Sequence, residues 1–530
     1  MAYLPTVPET LTRTTRKYLD REAIVYPRKN IRWTYEEFDE RVTRFANALR
    51  EAGVEKGDRV SLLMHNSAEF AVAVFGLLRA GAVFNPINYR LAPGEVAYIL
   101  NDSASTVLLF EEVTRDTVEG ALDQFDTVDR YLYVDDDVEA TPKYAEGFHS
   151  AVANASTAPI EIDVKSEDQY AIMYTSGTTG RPKGVVHSHR DATYHNLMYL
   201  GRMDLDYEDV GVSAMPLYHN AELNCGLFPR VNLGAKTVVL HQFDAERVLE
   251  AVDNERATHL FVASRTWSEL LAAAETMDDF DGGSLGLGVY GAAPMPPTLL
   301  ERCMEVFCED YATAYGMTEM GPCATFIRPD EVRDQLGSVG RAAPNHEVRI
   351  VEPTETECPA DPVTPRDTVP QGDTGEIILQ GPPMMSEYWN RPEKTGNAIR
   401  DGWFFTGDAG YFNEDGYLFL VDRIDDMIIS GGENIYPTEI ENVLYEHDAV
   451  EAAAVIGEED DEWGERVVAY VVGDEDLDAD TLDAFCRDHD GLADFKRPRE
   501  YYVIEELPRN PSGKIQKFKL RESDADTATD

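Results

Sequence analysis

Tyr174-Thr175-Ser176-Gly177-Thr178-Thr179-Gly180-Arg181-Pro182-Lys183-Gly184 is the stretch on which the reading of this chain turns. It packs three glycines, four Ser/Thr hydroxyls, an Arg and a Lys behind a short apolar run, Tyr170-Ala171-Ile172-Met173. Glycines let a loop turn its amides toward one point. Hydroxyls add rotatable donors, and Lys183 adds positive charge. An anion with several oxygens, such as a polyphosphate, asks for this combination. The spacing is not the Gly-x-x-x-x-Gly-Lys-Ser/Thr pattern of the P-loop, so it predicts a different phosphate loop. A flexible linker has no need of Arg181 and Lys183 amid so much acid.

Outward from this loop, short β-branched or aromatic runs alternate with helical stretches as far as about Asp422. Gly57 to Met64 reads as a turn and a buried strand, and Ala68 to Ala80 as a buried helix. Val238-Val239-Leu240, Leu260-Phe261-Val262 and Leu287-Gly288-Val289-Tyr290 are further strand candidates, each leading toward a helix. Such alternation predicts an α/β fold of layered sheets and helices. After Asp425 the pattern changes. Ile440 to Tyr445 and Thr481 to Asp488 read as helices, with strands at Val450 to Ile456 and Val467 to Val472. About a hundred residues suffice for a small α+β lid. The Pro- and acid-rich stretch around Glu352 to Asp373 reads as an exposed loop with no assigned role.

A chain of 530 residues predicts two or three domains. The formal charge of -51, from 98 acidic and 47 basic residues, would repel nucleic acid and anionic membranes. Acid spread along the whole chain, with Arg far commoner than Lys, suggests a surface adapted to high salt. Cys225, Cys303, Cys308, Cys323, Cys358 and Cys486 show no Cys-x-x-Cys and no paired His spacing, so free thiols in a reducing compartment are expected. Met1 to Pro5 carries no basic-then-apolar signal pattern, and the apolar stretch around Phe70 to Phe84 is too short to span a bilayer. These features predict a cytoplasmic protein with no integral membrane segment.

The loop resembles the phosphate-binding signature of the AMP-forming adenylating enzymes, which include acyl- and aryl-CoA synthetases. Other motifs follow in that superfamily's order: Pro216-Leu217-Tyr218-His219-Asn220, Tyr290-Gly291-Ala292-Ala293-Pro294, Tyr315-Gly316-Met317-Thr318-Glu319 and Thr406-Gly407-Asp408. Asp422-Arg423-Ile424-Asp425-Asp426, Ser430-Gly431-Gly432-Glu433-Asn434 and Pro511-Ser512-Gly513-Lys514-Ile515 complete the series. The resemblance runs from about Trp33 to Lys514. It implies a large N-terminal adenylating domain over 1–422 and a mobile C-terminal lid over 425–530, hinged near Asp425.

The resemblance also implies roles. Thr175, Ser176, Gly177, Thr178, Thr179, Gly180 and Lys183 would hold the β- and γ-phosphates of ATP. Glu319, beside Thr318, would bind Mg²⁺, which usually takes one or two protein oxygens plus phosphate and water. Tyr315, Gly316 and Met317 with Gly291, Ala292 and Ala293 would form the adenine slot. Asp408 would read the ribose diol, and Arg423 would pair with ribose or α-phosphate. Lys514 would enter the site to bridge the α-phosphate and the attacking carboxylate. Gly432 would line the channel for the CoA thiol, with Arg466, Lys496 and Arg497 as candidates for its positive rim. His219 and Asn220 fall in the acyl region. So does Trp267, which follows Ser264-Arg265, a departure from the usual Pro-Thr that leaves pocket polarity open.

The expected activity is an ATP-dependent, AMP-forming acyl-CoA synthetase acting on a medium- or long-chain fatty acid. The partners are a small carboxylic acid, ATP with Mg²⁺, and CoA. An aryl-CoA ligase differs only in the acyl pocket. An enzyme loading a carrier protein and a non-catalytic ligand sensor are the remaining readings, and retention of both Lys183 and Lys514 argues against the sensor. The oligomeric state stays open, a homodimer among the options.

Overall fold

A computed structural model describes residues 4–134, 140–175, 181–277, 280–291, 295–353, 363–431, 433–447, 449–460, 463–474, 477–489, 491–509 and 515–521. The protein is mixed α/β, with a large N-terminal part and a small C-terminal one. It divides into two compact units. One comprises Met1–Ser176, Pro182–Glu347 and Gln380–Gly396, the other Gly177–Arg181, Val348–Leu379 and Asn397–Asp530. Asp422 and Asp425, where a domain divide is expected, both fall in the second unit.

The first unit holds two sheets. In one, the strands run in the spatial order Glu387–Tyr388, Lys183–Ser188, Gln169–Thr175, Val83–Pro86, Arg59–Leu63, Ser105–Glu111, Arg130–Val134 and Glu146–Gly147. Its central pairs are parallel, and Gln169–Thr175 with Lys183–Ser188 forms an antiparallel hairpin. In the other, Tyr311–Tyr315, Leu287–Gly291, His259–Ala263, Val210–Ser213 and Lys236–Val239 lie side by side and parallel. Parallel strands covered on both faces need near-continuous apolar runs, which is why these segments stand out in the sequence.

The helix Ala68–Arg79 is apolar almost all round, and 11 of its 12 residues are buried. Such a helix cannot face water on any side, so it sits in the core. Ser67 caps it, its hydroxyl accepting from the Phe70 amide at 3.0 Å. Gly76 lets it approach the helix Tyr35–Glu51, since a β-carbon there would stand 2.7 Å from the Phe45 ring.

In the second unit, Gly375–Gln380, Trp403–Phe412 and Leu418–Arg423 form an antiparallel meander. A five-stranded sheet follows, in which Val450–Asp460 and Gly464–Gly473 pair along most of their length. The helices Pro437–Tyr445 and Ala479–Asp488 bury Ile440, Leu444 and Leu482 in the same apolar core as Val455 and Val467. Among the described residues no helix is long and apolar enough to cross a membrane.

Candidate active site

The hairpin whose strands flank the glycine-rich segment sets Thr175 opposite Lys183 in register. Ser176, Gly177, Thr178, Thr179 and Gly180 lie outside the described residues. The Lys183 ammonium stands 4.6 Å from the centre of the Tyr388 ring, a cation–π distance. Tyr388 belongs to the edge strand Glu387–Tyr388, which pairs with Lys183–Ser188. Its hydroxyl donates to Glu319 Oε1 at 2.8 Å, and Glu319 is buried. Lys183, Tyr388 and Glu319 therefore form one chain: cation, ring, carboxylate.

The turn that carries Glu319 is fixed from several sides. The Met385 amide donates to the Glu319 carbonyl at 2.7 Å. The Thr318 carbonyl accepts from His187 Nε2 at 2.6 Å and from Asn220 Nδ2 at 3.4 Å. Burial pushes the His187 imidazole below its ordinary pKa, favouring the neutral ring. Gly316 has to be glycine, because a β-carbon there would collide with the Pro322 carbonyl oxygen. Met317 leads into the single turn Thr318–Met320, and the Met320 amide closes back on the Met317 carbonyl at 2.8 Å.

Tyr315 and Gly291 end neighbouring parallel strands, at their carboxyl edge, where open α/β sheets bind ligands. Ala292 and Ala293 lie outside the described residues. Tyr315 is itself buried.

His219 precedes the short helix Asn220–Glu222, and desolvation by the surrounding protein lowers its imidazole pKa. Its Nδ1 accepts from the Ala221 amide at 3.2 Å. Asn220 is buried, and its Oδ1 accepts from Asn224 at 2.6 Å. Trp267 differs from its expected place. It is wholly buried against Phe307 and Tyr311, with its indole N–H on the Val289 carbonyl at 3.2 Å. These are the contacts of a core side chain and do not support a pocket-lining role. Arg265 is 80% exposed on the helix Ser264–Thr276 and pairs with Glu269, so it adds no buried polarity.

In the second unit, Asp408 and Arg423 are register partners on adjacent strands. Arg423 Nη1 donates to Asp408 Oδ1 at 2.5 Å and to the Thr406 carbonyl at 3.0 Å. Asp425 Oδ2 stands 3.7 Å from the same guanidinium. Gly407 has φ +68, and a β-carbon there would stand 2.9 Å from Arg423 Nη2. Gly432 and Lys514 lie outside the described residues. Each candidate for a CoA rim is already paired: Arg466 with Glu458 and Glu500, Lys496 with Glu439, and Arg497 with Asp483 and Asp494.

Tyr388 and His187 were not singled out from the sequence, although each touches the Thr318–Glu319 turn. Tyr388 is some seventy residues away from it, and only an aromatic pair, Tyr388-Trp389, marks the place. The site suits a magnesium ion. One buried carboxylate, oriented by the Tyr388 hydroxyl through Oε1, has a second oxygen to offer a cation that keeps most of its shell as phosphate and water.

Comparison with known proteins agrees along nearly the whole chain. The family model for AMP-binding enzymes matches residues 11–389, and the model for the AMP-binding enzyme C-terminal domain matches 439–514. A feruloyl-CoA synthase from Amycolatopsis is 37% identical over 92% of this chain and 93% of its own. The long-chain-fatty-acid–CoA ligase FadD13 of Mycobacterium tuberculosis is 34% identical over 94% of this chain and 95% of its own. The structure of o-succinylbenzoate coenzyme A synthetase from Bacillus subtilis, in complex with ATP and magnesium ion, superposes with a TM-score of 0.83. It is 29% identical and covers 96% of this chain and 98% of its own.

Proposed function

Because the chain belongs to the AMP-binding enzyme family, we propose that it is an AMP-forming acid–CoA ligase whose preferred acid is aromatic, of the cinnamate type. A carboxylate oxygen attacks the α-phosphorus of ATP, the bond to pyrophosphate breaks, and an acyl-adenylate forms. The CoA thiol then attacks the acyl carbonyl, and AMP leaves. The observation that carries the reading is the Lys183–Tyr388–Glu319 chain, which sets a cation and a buried carboxylate around one hydroxyl beside the phosphate loop. Magnesium bound there neutralises triphosphate charge.

In this reading Lys183 and the loop Thr175 to Gly180 bind the β- and γ-phosphates. Tyr315, Gly316, Met317 and Gly291 to Ala293 flank the adenine, and Thr318 and Glu319 hold the metal-bound phosphates. Asp408 accepts from the ribose hydroxyls while Arg423 orients it. Lys514 contributes its charge only to the adenylation transition state, and Gly432 keeps the thiol path open. The two half-reactions use two orientations of a lid from 425 onward, hinged at Asp425. His219 and Asn220 border the acid. The protein works in the cytoplasm, at high salt.

One observation favours an aromatic acid over the fatty acid first expected. The feruloyl-CoA synthase is the more identical of the two curated relatives, and ferulate is a substituted cinnamate. Arg265 is on the surface and decides nothing between the two acids, so the preference rests on that relative. The fatty acid is the second reading, favoured by the 34% identity to FadD13. Steady-state kinetics on acetate to palmitate, benzoate, cinnamate and ferulate separate them, with pyrophosphate and thioester measured in parallel. An aromatic preference supports the proposal. A rise of about fourfold in kcat/KM per added methylene, the worth of one buried CH₂, would favour the fatty acid.

A further inference from the structure

Away from the adenylation residues, three side chains that can ligate a metal meet inside the first unit. His195 comes from the helix His189–Met203, Cys225 from the π-helical turn Leu223–Leu227, and Cys323 from the turn just after Thr318–Met320. Nearly a hundred residues separate Cys225 from Cys323, which is why no metal spacing shows in the sequence. All three are buried: His195 is 0% exposed, Cys225 5% and Cys323 7%. One donor atom from each lies within 4.8 Å of the others, and the two sulfurs are 3.6 Å apart.

Two further observations distinguish this cluster from ordinary core packing. Outside the cluster neither ring nitrogen of His195 has a hydrogen-bond partner among the described residues, its polar contact being with the Cys323 thiol, although the side chain is sealed from water. A buried polar group left so costs free energy that a bound ligand would recover. Cys225 also sits in a π-turn, a register irregularity common at functional sites. A second trio among the described residues, His65, Glu111 and His241, provides the contrast. There His65 Nδ1 is bonded to Glu111 at 2.6 Å, and His241 Nδ1 lies 3.2 Å from the Asn66 carbonyl.

We propose that His195, Cys225 and Cys323 form a binding site for a zinc-like divalent cation. Thiolates and imidazole are soft ligands that do not suit Mg²⁺ or Ca²⁺. Two thiolates and a neutral imidazole balance a divalent ion to zero net charge. That matters because Met198, Met203, Val289 and Phe326 make the surroundings apolar, and a monovalent ion would leave an uncompensated negative charge there. Zinc–sulfur bonds of about 2.3 Å in a tetrahedron place two sulfurs about 3.8 Å apart, close to the observed 3.6 Å. Binding releases two thiol protons and leaves the fourth position for water. Cys323 closely follows Glu319, and Cys225 closely follows Asn220, so the ion would pin together the two segments that carry the metal-binding carboxylate and the acid pocket.

The test uses the full-length chain, reduced with a phosphine, stripped by chelator, and titrated with Co²⁺ and then Zn²⁺. The expected result is a single equivalent of cobalt bound, with a thiolate-to-cobalt charge-transfer absorption that zinc abolishes. Cys225→Ser and Cys323→Ser should each lose at least about half of that absorption at saturating cobalt and bind at least about 100-fold more weakly. Cys308→Ser, outside the cluster, should keep it. Should the serine variants fail to fold, zinc must protect Cys225 and Cys323 of the unaltered protein from alkylation, read by peptide mass spectrometry. An absent absorption, an absorption of undiminished intensity in both variants, or cysteines alkylated equally with and without zinc would overturn the site. None of these readouts depends on catalysis.

Discussion

The two units handle charge differently. In the first, the Tyr388 ring faces the Lys183 ammonium and the Tyr388 hydroxyl donates to Glu319. In the second, Asp408 and Arg423 neutralise one another directly at 2.5 Å. A carboxylate held through a hydroxyl keeps its charge available for an incoming cation. A carboxylate locked on a guanidinium must share it, and gains orientation instead. On the proposed function, the first arrangement serves the charged triphosphate and the second serves the neutral ribose.

The largest effects should come from groups that meet charge in the transition state. Lys514→Ala should lower acyl-adenylate formation by about 10³-fold while sparing thioester formation from supplied acyl-adenylate. Equal loss in both half-reactions would refute the division of labour. Glu319→Gln should lower adenylation about 10²-fold and raise the magnesium concentration needed for half activity. Tyr388→Phe removes only a hydrogen bond to that carboxylate and should cost several-fold, about 1 kcal/mol. Gly432→Leu should do the reverse of Lys514→Ala, leaving pyrophosphate exchange and stopping CoA consumption. A loss of exchange in that variant would mean that the glycine serves the ATP-bound state.

Smaller effects should follow in the second unit. Asp408→Asn keeps an acceptor for Arg423 but loses the charge that holds it, so KM for ATP should rise about tenfold with kcat little changed. An unchanged KM for ATP, with kcat alone reduced, would make the pair structural and remove the contrast between the two units.

The strands and buried helix were legible because parallel strands and core helices need continuous apolar runs, as at Arg59–Leu63 and Ala68–Arg79. Thr175, Lys183, Tyr315 and Glu319 could be proposed from the sequence because each sits in a short motif around glycine. Tyr388 and His187 could not, since their partners are supplied by strand pairing and by a turn far away in sequence. Trp267 was placed with the acid by resemblance of the 261–267 segment alone, and nothing in the sequence signals its packing on Phe307 and Tyr311. The His195, Cys225 and Cys323 cluster was invisible for the same reason as Tyr388, its members being brought together only by the fold.

The smallest expected effect concerns acid, and it belongs to the first unit. His189 and His259 are fully buried there, and burial pushes each imidazole from 6.5 down to about 3. Arg230 adds repulsion at His259. The sign follows from proton binding. Between about pH 6.5 and pH 3 the unfolded chain takes up protons at these rings and the folded chain does not, so stability falls as pH falls. In the second unit the described histidines, His447 and His489, are only half-buried. Acidification should therefore lower the melting temperature of the first unit before the second, read as two transitions in calorimetry. His259→Gln, which has no proton to gain, should flatten the pH dependence of the first transition and leave the second alone. High salt supplies the control. Screening of 98 carboxylates against 47 basic groups should raise both transitions together toward molar salt. If the second transition moved with acid as strongly as the first, the buried histidines would not be the cause.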